Sequence, residues 1–260
     1  MSRILITGCS KGLGRATALE LARRGHEVIA TARKLETLTA LPVAARVALD
    51  VTSDDSVRLA VERAGPVDVL VNNAGEIAVA PLESIPFEEI RRIYEINVFG
   101  TLRMIQALAP AMRMRGSGTI ANISSVVGRV ALPLTGIYCS TKWAIEALSE
   151  SLRIELGHFG VRVIVVEPGQ IGTGALDAPR AYFRENDPYT PLAVMRKSPP
   201  REQMTSPETI AQAIADAIES PTNQFRWPAG EDAEKLLAAR AKLDDNAFDA
   251  ALRSALRLDW

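Results

Sequence analysis

The chain has 260 residues, 47% of them apolar and 23% charged, with a formal net charge of −1. That size and apolar content support one full core, and no Ser/Gly/Pro-rich linker divides it, so a single domain over 1–260 is expected. The near-zero charge gives no electrostatic footing for nucleic acid or an anionic membrane surface.

Cys9 and Cys139, the two cysteines, are too few for a disulfide framework and lack the paired spacing of a zinc site. Reduced thiols, no bound metal and a cytoplasmic setting are therefore the expectation. Met1-Ser2-Arg3 leads at once into Ile4-Leu5-Ile6, too short for a signal-peptide core, and no run of 18 apolar residues occurs, so no membrane span is expected.

Short apolar runs at 3–7, 27–31, 46–49, 67–72, 119–124 and 161–167 suit strands buried on both faces. Between them lie segments of helical period: 12–24, closed by Gly25, then 53–63, 87–115 and 138–156. The alternation predicts repeated βαβ units and an α/β fold, a single-domain, Rossmann-like, doubly wound parallel sheet flanked by helices. In such a sheet ligands sit at the carboxyl ends of the strands, near the switch in strand order. A polar, Pro-rich stretch at about 174–206 breaks the pattern and reads as a functional loop; a helix follows over 207–219. From about 230 to 260 the chain is helical and charged, a C-terminal cap with no legible chemistry.

Every chemical motif falls at one of these strand ends. Gly8, Gly12 and Gly14 follow the first strand and open the first helix, in the run Ser10-Lys11-Gly12-Leu13-Gly14. Backbone N–H groups and the helix dipole there suit a dinucleotide pyrophosphate. Asn73-Ala74-Gly75 follows the fourth strand, Ser124-Ser125 the fifth, and Pro168-Gly169-Gln170-Ile171-Gly172-Thr173 the sixth. Tyr138 and Lys142 lie four residues apart, on one face of a helix, where an ammonium lowers a phenol pKa.

In this order, and with Gly-x3-Gly-x-Gly spacing, the motifs resemble the short-chain dehydrogenase/reductase family over about 4–173. The stretch from Asn97 through Leu148 looks most like its hydroxysteroid and retinol dehydrogenase branch. The resemblance implies an oxidoreductase in which Tyr138 exchanges a proton with the substrate oxygen as hydride passes to or from a nicotinamide. It implies that Lys142 lowers the Tyr138 pKa and bonds the nicotinamide ribose. Ser125, thirteen residues before Tyr138, would hold the substrate oxygen, with Ser124 its close competitor. The backbone carbonyl of Asn97 would hold a water leading from Lys142 to solvent, at a local kink that compensates an Asn in mid-helix.

The same resemblance gives Asn73, Ala74 and Gly75 a bracing role beneath the adenosine, Asp50 and Val51 the adenine, and Pro168, Gly169, Ile171 and Thr173 the nicotinamide side. Cofactor choice follows from charge. The second strand ends Thr31-Ala32-Arg33-Lys34, with no acid at the turn to bond the ribose hydroxyls. Arg33 offers a fork suited to a 2′-phosphate, and Lys11 adds a second cation, so NADP(H) is expected over NAD(H).

Val126, Val127, Leu132, Leu134, Ile137 and Met195 are expected around a hydrophobic alcohol or carbonyl substrate. The long helices predict a homodimer or homotetramer, with Trp143, Ile145 and Leu148 as interface or core residues. His26 and His158 lie away from every motif. An epimerase or dehydratase on the same fold, or a dinucleotide sensor without turnover, are the alternatives; an intact Ser125, Tyr138 and Lys142 argues against the sensor.

Overall fold

The computed structural model describes residues 1–172, 180–195, 200, 203–256 and 258, without the side chains of 194 and 195. Thr173 and the parts 174–179, 196–199 and 201–202 of the expected substrate loop lie outside the described residues, as does the Met195 side chain.

Strict alternation of face organises the core. In β1 (Arg3–Ile6), Ile4 and Ile6 point into one apolar cluster and Leu5 into another on the opposite side of the sheet. The same division recurs in β7 (Val161–Pro168), where Ile164 and Val166 join the first cluster and Val163 and Val165 the second. Each fully buried Val, Leu or Ile contributes roughly 1.5–3 kcal/mol, so both faces must be covered by helices. Helices α1 (Gly12–Arg23) and α7 (Pro207–Glu219) cover the first face with Ala18, Leu21, Ile210 and Ile214. Helices α2 (Asp54–Ala64), α4 (Gly100–Arg115) and α5 (Gly136–Gly157) cover the second, through Val57, Met104, Leu108 and Leu156 among others.

The sheet has seven strands, all parallel, ordered β3-β2-β1-β4-β6-β7-β9, with β2 (Glu27–Ala32), β3 (Ala45–Ala48), β4 (Val69–Asn72), β6 (Gly118–Ile123) and β9 (Arg226–Ala229). The doubly wound expectation holds. The order reverses between β1 and β4, which puts the switch point at the glycine loop. Buried Asn72 donates from Nδ2 to Asn122 Oδ1 (2.9 Å), and Asn122 Nδ2 donates to Ser149 Oγ (2.8 Å), which fixes α5 against β4 and β6.

Four features differ from the sequence expectation. The helix expected over 87–115 is α3 (Phe87–Tyr94), then a π-helical segment Glu95–Phe99, then α4. An additional strand, β9, closes the sheet edge; its Pro228 is tolerated because an edge strand has one unpaired side. The described part of 174–206 is not wholly irregular: β8 (Arg180–Ala181) pairs with β5 (Ala78–Val79), and Thr190–Met195 forms α6. The C-terminal cap is two helices, α8 (Glu231–Lys242) and α9 (Asp245–Ala255).

Candidate active site

Because every strand runs the same way, the loops after β1, β2, β3, β4, β6 and β7 emerge at one edge. Asn73 ties two of them together: its Nδ2 donates to Thr7 O (2.8 Å) and Gly8 O (3.2 Å), while the Asn73 and Ala74 N–H groups donate to Thr7 Oγ1 (3.0 and 2.9 Å). Gly8 has φ +77°, and a Cβ on Gly14 would collide with the Gly8 carbonyl and Asn73 Nδ2, so a side chain at either position would open the turn.

The first residues of α1 fit a phosphate group. Lys11 precedes the helix in extended conformation and makes no side-chain cap, and the first turn carries no acid. The leading N–H groups and the positive end of the dipole thus face an exposed loop formed by Ser10 and Lys11. Asp50 Oδ1 accepts from Thr52 N (3.0 Å) and Oγ1 (2.8 Å), holding the turn after β3. Ser53, not Asp50, caps α2, accepting from the Ser56 N–H as its place in the sequence suggests. Val51 is buried, packed where a Cβ on Gly100 would meet its Cγ2.

Arg33 is exposed at the end of β2, as expected, but it does not stand clear of acids. Its Nη2 lies 3.4 Å from Glu76 Oε1, a residue from the loop after β4. No acid occurs at the Arg33 turn itself; tertiary structure brings one from forty-three positions away.

Tyr138 and Lys142 share a face of α5, with Lys142 Nζ 5.7 Å from the phenol ring centroid. Lys142 is buried and donates to Ile123 O (2.7 Å) at the end of β6. Ser125 follows, its Oγ donating to Pro168 O (3.2 Å) and accepting from Val127 N (3.4 Å), so it sits where the β6 and β7 loops meet. Ser124 differs: its Oγ is buried without a hydrogen-bond partner among the described residues, near the Cβ position of Gly128.

Asn97 lies in the π-helical segment, so the irregularity expected of a mid-helix Asn is a widened turn. Its side chain brackets Glu76, accepting from Glu76 N (2.9 Å) and donating to Glu76 O (2.9 Å), and also donates to Thr141 Oγ1 (3.1 Å) on α5. Its carbonyl accepts from Thr101 Oγ1 (2.9 Å).

Two charge shifts follow from burial. The Tyr138 phenol is pushed above its ordinary value by burial, with a smaller push from Cys139. This is opposite to the lowering expected from Lys142, because burial penalises the phenolate and is the leading cause of the shift. Burial also pulls Lys142 down to about 8, against the opposing pull of Glu146.

The expected substrate wall divides. Val126, Val127 and Leu132 pack with Tyr138, whereas Ile137 turns into a separate cluster with Ala80, Ile85 and Ile93. Leu134 is buried with φ +63°, and its carbonyl accepts from Ala80 N (2.8 Å). Helix α8 supplies what the sequence did not reveal: Ala233, Leu236 and Leu237 complete the cluster around Tyr138. In its first turn, Asp232 Oδ2 accepts from Gln170 N (2.7 Å), and its carboxylate fills the space beside Gly169. Ile171 forms a bridge with Thr205 on the other side of that loop. His26 accepts from Ser2 N through Nδ1 and meets Glu219 through Nε2, and no group of metal-ligating side chains occurs among the described residues.

A parallel sheet ordered 3-2-1-4-6-7-9, with a glycine turn at the switch point and a Tyr/Lys pair on the helix packed against β6 and β7, has the layout of a dinucleotide-binding α/β enzyme. The family model described as short chain dehydrogenase matches residues 2–181. Among curated relatives, human 17-beta-hydroxysteroid dehydrogenase type 1 is 36% identical over 93% of this chain and 81% of its own length. Retinol dehydrogenase 8 of Bos taurus is 34% identical over 99% of this chain and 90% of its own. A short chain dehydrogenase from Burkholderia cenocepacia, solved in complex with NADP, superposes with a TM-score of 0.79 at 31% identity, over 98% of this chain and 97% of that one. The chain belongs to the short-chain dehydrogenase/reductase family; it is an oxidoreductase. No helix among the described residues is long and apolar enough to cross a membrane.

Proposed function

We propose that the protein is an NADP(H)-dependent reductase or dehydrogenase that interconverts an alcohol and a ketone or aldehyde on a hydrophobic substrate. The observation that carries this reading is the shared face of α5, where Lys142 Nζ stands 5.7 Å from the Tyr138 ring beside the turn bearing Ser125. The nicotinamide, when bound, supplies or accepts the hydride. Tyr138 gives its phenolic proton to the carbonyl oxygen in reduction and takes it back in oxidation. Ser125 hydrogen-bonds the same oxygen and keeps it facing Tyr138. Lys142 stabilises the phenolate that forms, and Asn97 joins α5 to the Glu76 loop and opens the π-helical turn beside it.

On the cofactor side, the uncapped N-terminus of α1 with Ser10 to Gly14 takes the pyrophosphate, and Arg33 with Lys11 takes the 2′-phosphate. Asp50 and Val51 receive the adenine, Asn73 to Gly75 brace the adenosine side, and Pro168, Gly169 and Ile171 line the nicotinamide side. The relatives act, by name, on hydroxysteroids and retinol, and the apolar cluster around Tyr138 suits such bulky substrates. Exposed Phe99 and Trp143, near and on the long helices, support a homodimer or homotetramer, and two buried free thiols support a cytoplasmic setting.

The test is absorbance at the reduced-nicotinamide band with NADPH, and separately NADH, across steroids, retinoids, aliphatic ketones and aldehydes. The expected outcome is oxidation of NADPH that drops roughly 10²–10⁴-fold in Tyr138→Phe while NADPH binding persists. Tight NADPH binding with no turnover on the panel would instead favour the sensor reading.

A further inference from the structure

Glu76 stands where the reading of the cofactor site has no use for an acid. One carboxylate oxygen, Oε2, accepts from Arg92 Nη1 (2.5 Å), and the other faces Arg33 Nη2 at 3.4 Å. Its backbone is fixed on both sides by Asn97, which accepts from the Glu76 N–H and donates to the Glu76 carbonyl (2.9 Å each). Glu76 is therefore the anchored partner, while the Arg33 side chain, 67% exposed, is the one free to move.

We propose that Glu76 is a cofactor-specificity residue: an internal carboxylate that competes with the 2′-phosphate of NADP(H) for the Arg33 guanidinium and so limits the preference over NAD(H). The proposal rests on the reading that Arg33 receives that phosphate. Two effects act in the same direction. To grip a phosphate with its fork, Arg33 must leave Glu76 or share itself with it. A phosphate brought to Arg33 also comes close to an anion that Arg92 neutralises only in part. Neither effect acts on a ribose with a free 2′-hydroxyl, which a carboxylate tolerates and can accept a hydrogen bond from. Since the Arg33–Glu76 pair is long and largely exposed, the competition is modest, about two- to fivefold in affinity.

The test is a double-mutant cycle read by equilibrium binding of NADPH and NADH, using nicotinamide fluorescence without substrate, on wild type, Glu76→Gln, Arg33→Ala and the double variant. Gln keeps the shape of Glu76 and an oxygen for Arg92, and a thermal unfolding trace of each variant checks folding. The expected result is that Glu76→Gln tightens NADPH about two- to fivefold, leaves NADH within about twofold, and loses its gain when Arg33 is Ala. A Glu76→Gln variant that shifts neither cofactor, shifts both equally, or keeps its gain without Arg33 would overturn the competition while leaving Arg33 as the phosphate ligand. Failure of the underlying reading has its own signature, unchanged NADPH affinity in Arg33→Ala, and it would overturn the proposal as well.

Discussion

Lys142 shows how one residue's setting fixes its chemistry. Its ammonium is buried against the Ile123 carbonyl, and desolvation brings its pKa to about 8. A base whose folded pKa is lowered keeps its charge below that value and sheds it above. Tyr138, pushed upward by burial, holds its proton across the same range and is a ready acid for reduction. For carbonyl reduction, kcat/KM is therefore expected to stay level through neutral pH and fall as pH rises through about 8. Lys142→Arg, which does not titrate there, should abolish that fall even at a lower absolute rate; a pH–rate profile of both enzymes checks it. The Tyr138/Lys142 pairing was legible in the sequence because a spacing of four places two residues on one helical face whatever the fold around them. The extent of their burial was not, since desolvation depends on neighbours from β6 and α8.

At the scale of elements, α8 changes the picture most. Its charged sequence reads as a cap with no legible chemistry, yet its inner face, with Ala233, Leu236 and Leu237, closes the apolar cluster on Tyr138. Asp232 joins that wall to the loop bearing Gly169 and Ile171 through the Gln170 N–H, a contact across sixty-two residues with no local signature. Removing it should disturb both ends at once. Asp232→Ala is expected to weaken NADPH binding and raise the substrate KM, each roughly fivefold to tenfold, with Asp232→Asn restoring most of both by keeping an acceptor. Leu236→Ala should raise KM for a hydrophobic substrate and leave NADPH affinity unchanged; binding and steady-state measurements on the three variants separate the two effects. Strand β9 escaped the sequence reading for similar reasons, and the irregularity at Asn97 was legible only as a kink and not as a π-helical turn. Four residues containing Pro228 carry too little pattern to declare a strand, and a π-helical turn leaves the apolar period of 87–115 almost intact.

The whole molecule sets a pH dependence of stability through Glu167, at the end of β7. Burial, aided by the nearby Glu146 charge, raises its pKa from 4.5 to about 7 against the pull of Arg129 and Arg226. The unfolded chain, with an ordinary carboxylate, releases this proton earlier, so between those values the unfolded state binds fewer protons and stability falls as pH rises. The group's contribution is fully present below 4.5 and lost as pH passes about 7, a change of about 3 kcal/mol at most for this one carboxylate. Glu167→Gln should remove that slope, so its stability relative to wild type is expected to grow between about pH 5 and about pH 8; urea denaturation at several pH values measures it. Sequence by itself determined the parallel sheet, the glycine turn at its switch point and the strand-end positions of Asn73, Ser125 and Pro168, because buried-strand runs and helix periodicity are local properties of the chain. Only the tertiary structure decided which distant groups meet there: Glu76 on Arg33, Asp232 on Gln170, and α8 against Tyr138. Those contacts join loops and helices through the packing of two cores on one sheet, and no local propensity encodes the partner of a side chain so far along the chain.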